Sequence, residues 1–374
     1  MNHKATIAGT SLLLLGYLNF AGPGSASAND RHAFSVCERT ADTMFSACLF
    51  DLGDEIQTTL ANCENISDAS ERRSCIEETR GARKDEIQSC RTAREGRSAA
   101  CKLLGENRYD PDPLLDPTIT FIDPDDIPNA YPVNPYVSLA AGHTFVLRAG
   151  AEGEETNVVY VTDESRDILG VSCRVVVDVE FEVEEANGVV EYEALEVTDD
   201  WYAQDQIGNV YYCGELSRNF EDGVLRDLDG SFEAGRDFAK AGVLIRAFPV
   251  AGDAHRQEFA LGEAEDVAQY IDLATAPTEA EGGDNPRFPC DPDRCLKVLE
   301  LEPPEPETTE FKYYLAGTGF VLAVDMENGE FGEREEVLCV GDSLDVLQDA
   351  SCEIADPQAL RAALCDVAPE RFCD

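Results

Sequence analysis

Between about residues 135 and 340 apolar and polar positions alternate with a period of two. "HTFVLRAG", "TNVVYVTDES", "SCRVVVDVEFEVEE", "VVEYEALEVTDDWYAQD" and "NVYYCGELS" are rich in Val, Tyr and Phe, and turn-forming "DILG" and "DQIGN" separate some of them. "AGVLIRAFPVAG", "AHRQEFALG", "EDVAQYIDLAT", "CLKVLELE", "FKYYLAGTG" and "FVLAVDMENG" continue the series. About ten strands on short connections predict an antiparallel meander rather than βαβ units. Strands that alternate this cleanly bury one face, so the expected form is a sandwich or half-open barrel with polar outer faces.

Residues 29–103 follow a different pattern. They are polar and rich in Ala, Glu and Arg, with Gly53, Gly81 and Gly96 as the only breaks, which reads as helix. Their cysteines fall at 37, 48, 63, 75, 90 and 101, and the spacing is palindromic about Ala69. At 100° per residue, steps of 11 and 15 return to within about 20° and 60° of the start, so each trio lies along one stripe of a helix. Neighbours on one stripe are ~16 Å or more apart, too far to bridge. An antiparallel hairpin turning at 66–70 pairs them instead as Cys37–Cys101, Cys48–Cys90 and Cys63–Cys75, and Asp68 with Glu71 caps the second helix. Zinc needs several converging ligands, commonly at short spacing, and His32 is the segment's only histidine. The expected class is therefore mainly β with an N-terminal disulfide-stapled α-helical hairpin. The twin spacing resembles that of coiled-coil–helix–coiled-coil–helix proteins, with Cys-x10-Cys in place of their Cys-x9-Cys; this implies a hairpin and no activity.

The N-terminus and the charge set the compartment. "MNHK", the apolar run "ATIAGTSLLLLGYLNF" and the small-residue site Ala26-Ser27-Ala28 predict a secretory signal over 1–28, cleaved near Ala28. No later run is apolar enough to span a bilayer, so the expected product is secreted or periplasmic. Fourteen cysteines in an oxidising compartment favour disulfides over metal or catalytic thiols. A net charge of −46 argues against nucleic acid and anionic membrane surfaces as partners, since both are bound through basic faces.

Charge also divides the chain. Residues 29–103 carry 11 basic and 14 acidic side chains, whereas 104–374 carry 17 and 61. Between the two regions runs "YDPDPLLDPTITFIDPDDIPNAYPVNP", whose Pro and Asp content predicts a stiff extended linker. The expected order is signal 1–28, hairpin 29–103, linker 104–134, β domain 135–338 and a Cys-rich tail 339–374. In the β domain and tail, Cys173 with Cys213 is expected to bridge strands and Cys290 with Cys295 to clasp a loop. Cys339, Cys352, Cys365 and Cys373 staple a tail in which "DPQALRAALCDV" reads as a short helix.

"NPYVSLAAGHTFVL", "DWYAQDQIGNVYYCGE", "GSFEAGRDFAKAG", "HRQEFALGEAED" and "EFKYYLAGTGFVLAVD" resemble a family of secreted, functionally uncharacterised bacterial proteins, over about residues 101–325. That resemblance implies an exported all-β core and brings no activity.

Four groups could carry chemistry. "HRQEFALGEAED" gathers His255, Arg256, Glu258, Glu265 and Asp266; paired carboxylates with a nearby Arg suit acid–base work, and also suit a surface ion-pair network. On a regular strand His255, Gln257 and Phe259 share one face, and Arg256 and Glu258 the other. Asp227, Asp229 and Glu233 in "DLDGSFE" form a fragment of a calcium loop without its distant bidentate Glu. "GDSL" at 341–344 spells an esterase nucleophile block, but no histidine follows His255 to act as base. Trp201, Tyr202, Tyr211 and Tyr212 form a cross-strand aromatic cluster suited to packing or to ligand stacking. The reading favoured is an exported non-enzymatic protein that binds a ligand or partner, or serves the cell envelope, with no cofactor. The alternative is a secreted hydrolase built on 255–266, with His255, Glu258 and Asp266 as catalytic candidates and calcium at Asp227, Asp229 and Glu233.

Overall fold

Two long helices open the described chain, α1 (Val36–Glu64) and α2 (Ala69–Leu104). The computed structural model describes residues 35–127, 133–150 and 153–373, so the signal sequence expected over 1–28 lies outside it. Ser35 caps α1 by accepting from the Glu38 amide, and Asp68 caps α2 by accepting from Ser70 and Glu71. Gly105 ends α2 in the left-handed region at φ 61°, where a side chain would be strained. Along its 29 residues α1 buries only Cys37, Ala41, Leu52 and Cys63, too little apolar surface to hold a helix pair together. Disulfides take that role: Cys37–Cys101, Cys48–Cys90 and Cys63–Cys75 join the helices at Cα separations of 5.8, 5.8 and 5.7 Å.

The remaining strands form one antiparallel sheet. They are β1 (Thr144–Ala149), β2 (Glu155–Ile168), β3 (Val171–Ala186), β4 (Val189–Gln204), β5 (Val210–Glu221), β6 (Val224–Asp227), β7 (Phe232–Glu233) and β8 (Lys240–Ile245). After them come β9 (Ala254–Arg256), β10 (Glu258–Phe259), β11 (Val267–Thr275), β12 (Cys295–Leu301), β13 (Thr308–Leu315), β14 (Gly319–Glu327) and β15 (Glu330–Gly341). The order is β10-β8-β5-β4-β3-β2-β1-β15-β14-β13-β12-β11-β9, with β6 and β7 appended to β5. The two ends of this order, β9 and β10, are neighbours in sequence across Gln257. Residues 254–259 therefore pair with β11 on one side and β8 on the other, and bring the sheet round into a nearly closed barrel.

The alternation is turned inside out relative to the polar outer face expected from the sequence. On β3, Val177, Val179 and Phe181 pack outward with Leu360, Leu364 and Phe372 of the C-terminal tail, while Asp178 faces the interior. Period two separates two faces of a strand but does not say which is concave. Three irregular segments cover the apolar outside. The tail, with α3 (Pro357–Val367) and α4 (Pro369–Phe372), is stapled by Cys339–Cys352 and Cys365–Cys373. The stretch before β12 is clasped by Cys290–Cys295 and pinned by Asn285, which donates to the Val321 and Val337 carbonyls at 2.8 and 3.0 Å. The Pro/Asp-rich segment packs on the outside through Leu114, beside Val175 and Trp201, and Tyr109 donates to the Ala241 carbonyl, while its Ile122 and Ile127 pack with the inward-facing Leu139, Val161 and Val176. Residues beyond Ser35 accordingly form one compact unit rather than a hairpin tethered at a distance. Cys173–Cys213 joins β3 to β5.

Candidate functional site

The barrel interior concentrates charge. A chamber of about 240 Å³ is lined by Asp178, Glu196, Asp200, Glu215, Glu258, Asp266 and Glu300, with Lys312 the one basic residue among its lining. These side chains come from β3, β4, β5, β12, β13 and the seam around 257–266, that is, from opposite sides of the sheet, so they must point inward. Tyr202, Tyr212 and Tyr314 complete the wall.

A local irregularity puts Glu258 there. The Gln257 and Glu258 amides both donate to the Asp266 carbonyl, at 2.8 and 3.3 Å, so two residues of one strand oppose one of the other. This β-bulge breaks the alternation. Gln257 and Glu258 both reach the chamber, in place of the opposite faces that a regular strand gives them. Arg256 and Glu265 lie on the outside and contact the hairpin region, Arg256 with Glu106 and Glu265 with Arg97.

Few partners neutralise the carboxylates. Lys312 Nζ lies 2.6 Å from Glu300 Oε2 and 3.0 Å from Glu310 Oε2. The Tyr212 hydroxyl faces both Asp200 and Glu215, and Thr198 and Ser217 donate to Glu196 at 2.6 and 2.8 Å. Gln257 Nε2 donates to Glu300 at 2.8 Å, which fixes the amide's orientation and leaves its Oε1 buried with no donor. Loss of water and mutual repulsion raise the proton affinity of five of them, Asp178, Asp200, Glu215, Glu258 and Asp266. Burial pushes Asp200 up to about 7, against the hydrogen bonds of Tyr212 and Tyr202. Burial and then the Asp200 charge push Glu215 to about 9, and burial with Glu302 and Glu300 pushes Asp266 to about 8. Asp178 and Glu258 are raised well above the usual carboxylate range, again chiefly by burial.

A second cavity, of about 220 Å³, adjoins the first and shares Asp178, Tyr202, Leu244, Lys312 and Tyr314 with it. Its other walls are mainly apolar: Leu139, Leu147, Val159, Val161, Val176 and Phe320.

The sequence-derived candidates divide. Glu258 and Asp266 line the chamber. His255 is buried with its ring 5.1 Å from that of Tyr270, lines a different cavity with Tyr211 and Arg246, and is held neutral, at about 4, chiefly by burial. Glu233 is engaged by Arg166 and Arg236, and Asp227 accepts from Asn219 at 2.8 Å. No group of three or more His, Cys, Asp or Glu among the described residues is arranged to hold a metal ion. Ser343 caps the short turn Leu344–Gln348 by accepting from the Asp345 amide. The aromatic cluster splits: Trp201 packs outside beneath the Arg166 guanidinium, at 4.1 Å, while Tyr202 and Tyr212 stack inside with centroids 4.7 Å apart. Sequence reasoning missed Asp178, Glu196, Asp200, Glu215, Glu300 and Lys312. Their signal was the strict alternation itself, taken for a solvated face.

No protein-family model matches the chain, and no curated protein does. Two solved structures are similar to part of it. One is described as a "putative lipoprotein" from Parabacteroides distasonis, with 11% identity and a TM-score of 0.28, covering 56% of this chain and 100% of that one. The other is a "putative exported protein with YmcC-like fold" from Bacteroides fragilis, with 14% identity and a TM-score of 0.23, covering 56% of this chain and 98% of that one.

Proposed function

We propose that this chain is an exported, non-enzymatic binding protein whose ligand site is the interior of the barrel. The observation that carries this reading is the convergence of seven carboxylates and one lysine on a single chamber inside a nearly closed sheet. A stability-driven core would fill that space with apolar side chains, because burying ionisable groups costs free energy. Retaining them is the mark of a functional site.

Export is supported by the signal-like run over 1–28 and by the cysteines, all fourteen of which are paired into seven disulfides. Such a framework persists in an oxidising compartment. No helix among the described residues is long and apolar enough to cross a membrane. The separation of His255 from Glu258 and Asp266 favours binding over the hydrolase alternative.

The test is to purify the full chain from an exporting host, denature it and profile the released small molecules by mass spectrometry, beside a Leu244→Trp variant. Leu244 lines both cavities, so its enlargement blocks them. The expected result is a species enriched in the wild type and absent from the variant; identical extracts overturn the interior as the site.

A further inference from the structure

The two cavities have complementary chemistry, and this bears on what fits them. It rests on the reading of the barrel interior as the ligand site. The polar chamber presents carboxyl oxygens almost throughout, and a cationic guest would turn them into acceptors by taking the place of the protons they bind. Among the described residues Asp200, Glu215 and Glu258 have no basic side chain within ion-pair distance, and Lys312 is engaged by Glu300 and Glu310. Gln257 is an independent indicator. The residue is 4% exposed, it lines the chamber, and its Oε1 has no donor among the described residues. In the adjoining cavity Asn157 Oδ1 is likewise buried without a donor. A buried acceptor without a donor is costly. The amide oxygens call for hydrogen-bond donors and the carboxyl cluster for positive charge, and an N–H cation supplies both.

The head is not a bare metal ion. Calcium and magnesium need several oxygens converging at about 2.0–2.6 Å, and no such group exists among the described residues. Carboxylates spread around a 240 Å³ chamber match a head with several divergent N–H bonds. The adjoining walls of Leu147, Val159, Val161, Val176 and Phe320 offer that head an apolar continuation.

We propose that the barrel binds an amphiphilic organic cation, with a primary ammonium or amidinium head among Asp200, Glu215, Glu258 and Gln257 Oε1 and a short apolar tail toward Val159, Val176 and Phe320. Tyr202, Leu244 and Tyr314 line both cavities and form the passage from head to tail.

Isothermal titration calorimetry on the disulfide-intact protein at pH 7.5 tests this with four probes: hexylammonium, ethylammonium, 1-hexanol and hexanoate. Each buried methylene is worth roughly a fourfold gain in affinity, so hexylammonium should bind at least about tenfold tighter than ethylammonium. It should exceed hexanol by a similar factor, and hexanoate should give no heat. Hexanol or hexanoate binding as well as hexylammonium overturns the cationic head. Ethylammonium equalling hexylammonium overturns the tail, and no binding by any probe overturns the whole inference. Asp200→Asn/Glu258→Gln, which keeps the shape and the hydrogen-bonding capacity of the protonated acids, should weaken hexylammonium at least about tenfold. The wild-type comparison stands if that variant does not fold. The mass-spectrometric extract separates the two levels: an enriched neutral or anionic species overturns the cation and keeps the interior as the site, whereas no enriched species overturns the interior.

Discussion

Arg97 of α2 and Glu265 beside the barrel seam form a buried fork, with Nη2 2.6 Å from Oε1 and Nε 2.8 Å from Oε2. Their side chains are 10% and 2% exposed. Glu265 Oε1 also accepts from the Gly262 amide at 2.8 Å. One residue of the pair belongs to the stapled hairpin and the other to the loop that leads from β10 into β11, so the hairpin is fastened where the sheet closes. Breaking one side of such a pair leaves an uncompensated buried charge. Arg97→Ala should lower the unfolding free energy by about 3–5 kcal/mol. Denaturant titration checks the loss, and hydrogen exchange should rise first over residues 254–266.

Gly96, one residue earlier, tests the same junction by shape. A Cβ there would lie 2.2 Å from the Pro303 carbonyl oxygen and 2.8 Å from Pro306 Cβ. Gly53 and Gly81 have nothing within 4 Å. Ala in place of Gly inside a helix gains about 1 kcal/mol where space allows. Gly53→Ala and Gly81→Ala should therefore raise stability by roughly 0.5–1 kcal/mol each. Gly96→Ala should lower it by about 1–3 kcal/mol as the new Cβ meets the Pro303 backbone and the Pro306 ring. Thermal melts of the three variants decide the sign.

The hairpin buries so little that its bridges stand in for a core. Replacing Cys48 and Cys90 together by Ala should cost about 2–4 kcal/mol, with α1 fraying first by circular dichroism. Non-reducing peptide mapping should recover Cys37–Cys101, Cys48–Cys90 and Cys63–Cys75; a Cys37–Cys48 peptide would sink the hairpin.

Acidity inside the barrel sets a pH dependence. A carboxyl whose pKa is higher folded than unfolded binds its proton more tightly in the folded state. Its contribution is fully present below the unfolded value, about 4, and is lost as pH rises through the folded value. With Asp200 at about 7, Asp266 at about 8 and Glu215 at about 9, stability should fall continuously between about pH 4 and 9. Asp178, Glu196, Glu258 and Glu300 face the same space and add to the repulsion, with Lys312, Tyr202 and Tyr212 as the opposing partners. Melting temperature measured from pH 5 to 8.5 should decline, and Asp200→Asn should flatten part of the slope. A maximum at pH 8 would contradict this.

Leu360 of α3 is fully buried against the outer faces of β3 and β4. Leu360→Ala should cost about 2–5 kcal/mol and increase binding of an apolar fluorescent dye as the tail loosens.

How much of this was legible beforehand depends on the range of the interactions involved. The cysteine palindrome about Ala69 is a local code, and helix geometry turns it into pairings without knowledge of the rest of the chain. Strand pattern and antiparallel class are also local. Closure is not, because it depends on residues 254–259 pairing with β8 and β11 simultaneously. The site follows from closure. Asp178, Asp200 and Glu258 become neighbours only when the sheet curls, and Glu258 joins them only through the bulge at Gln257. The tail's role was illegible for the same reason: nothing near Leu360 announces that its partners are Val177, Val179 and Phe181.

That inverted strand face has a consequence for biosynthesis. The stripe of Val177, Val179 and Phe181 is synthesised roughly 180 residues before the helix that covers it. Until α3 and α4 arrive, the chain carries an open apolar β-surface of the kind that recruits wrong neighbours. The segment of α3 and α4 is therefore a quality checkpoint: a chain truncated before α3 retains its strands and its acid-lined interior but remains adhesive on the outside.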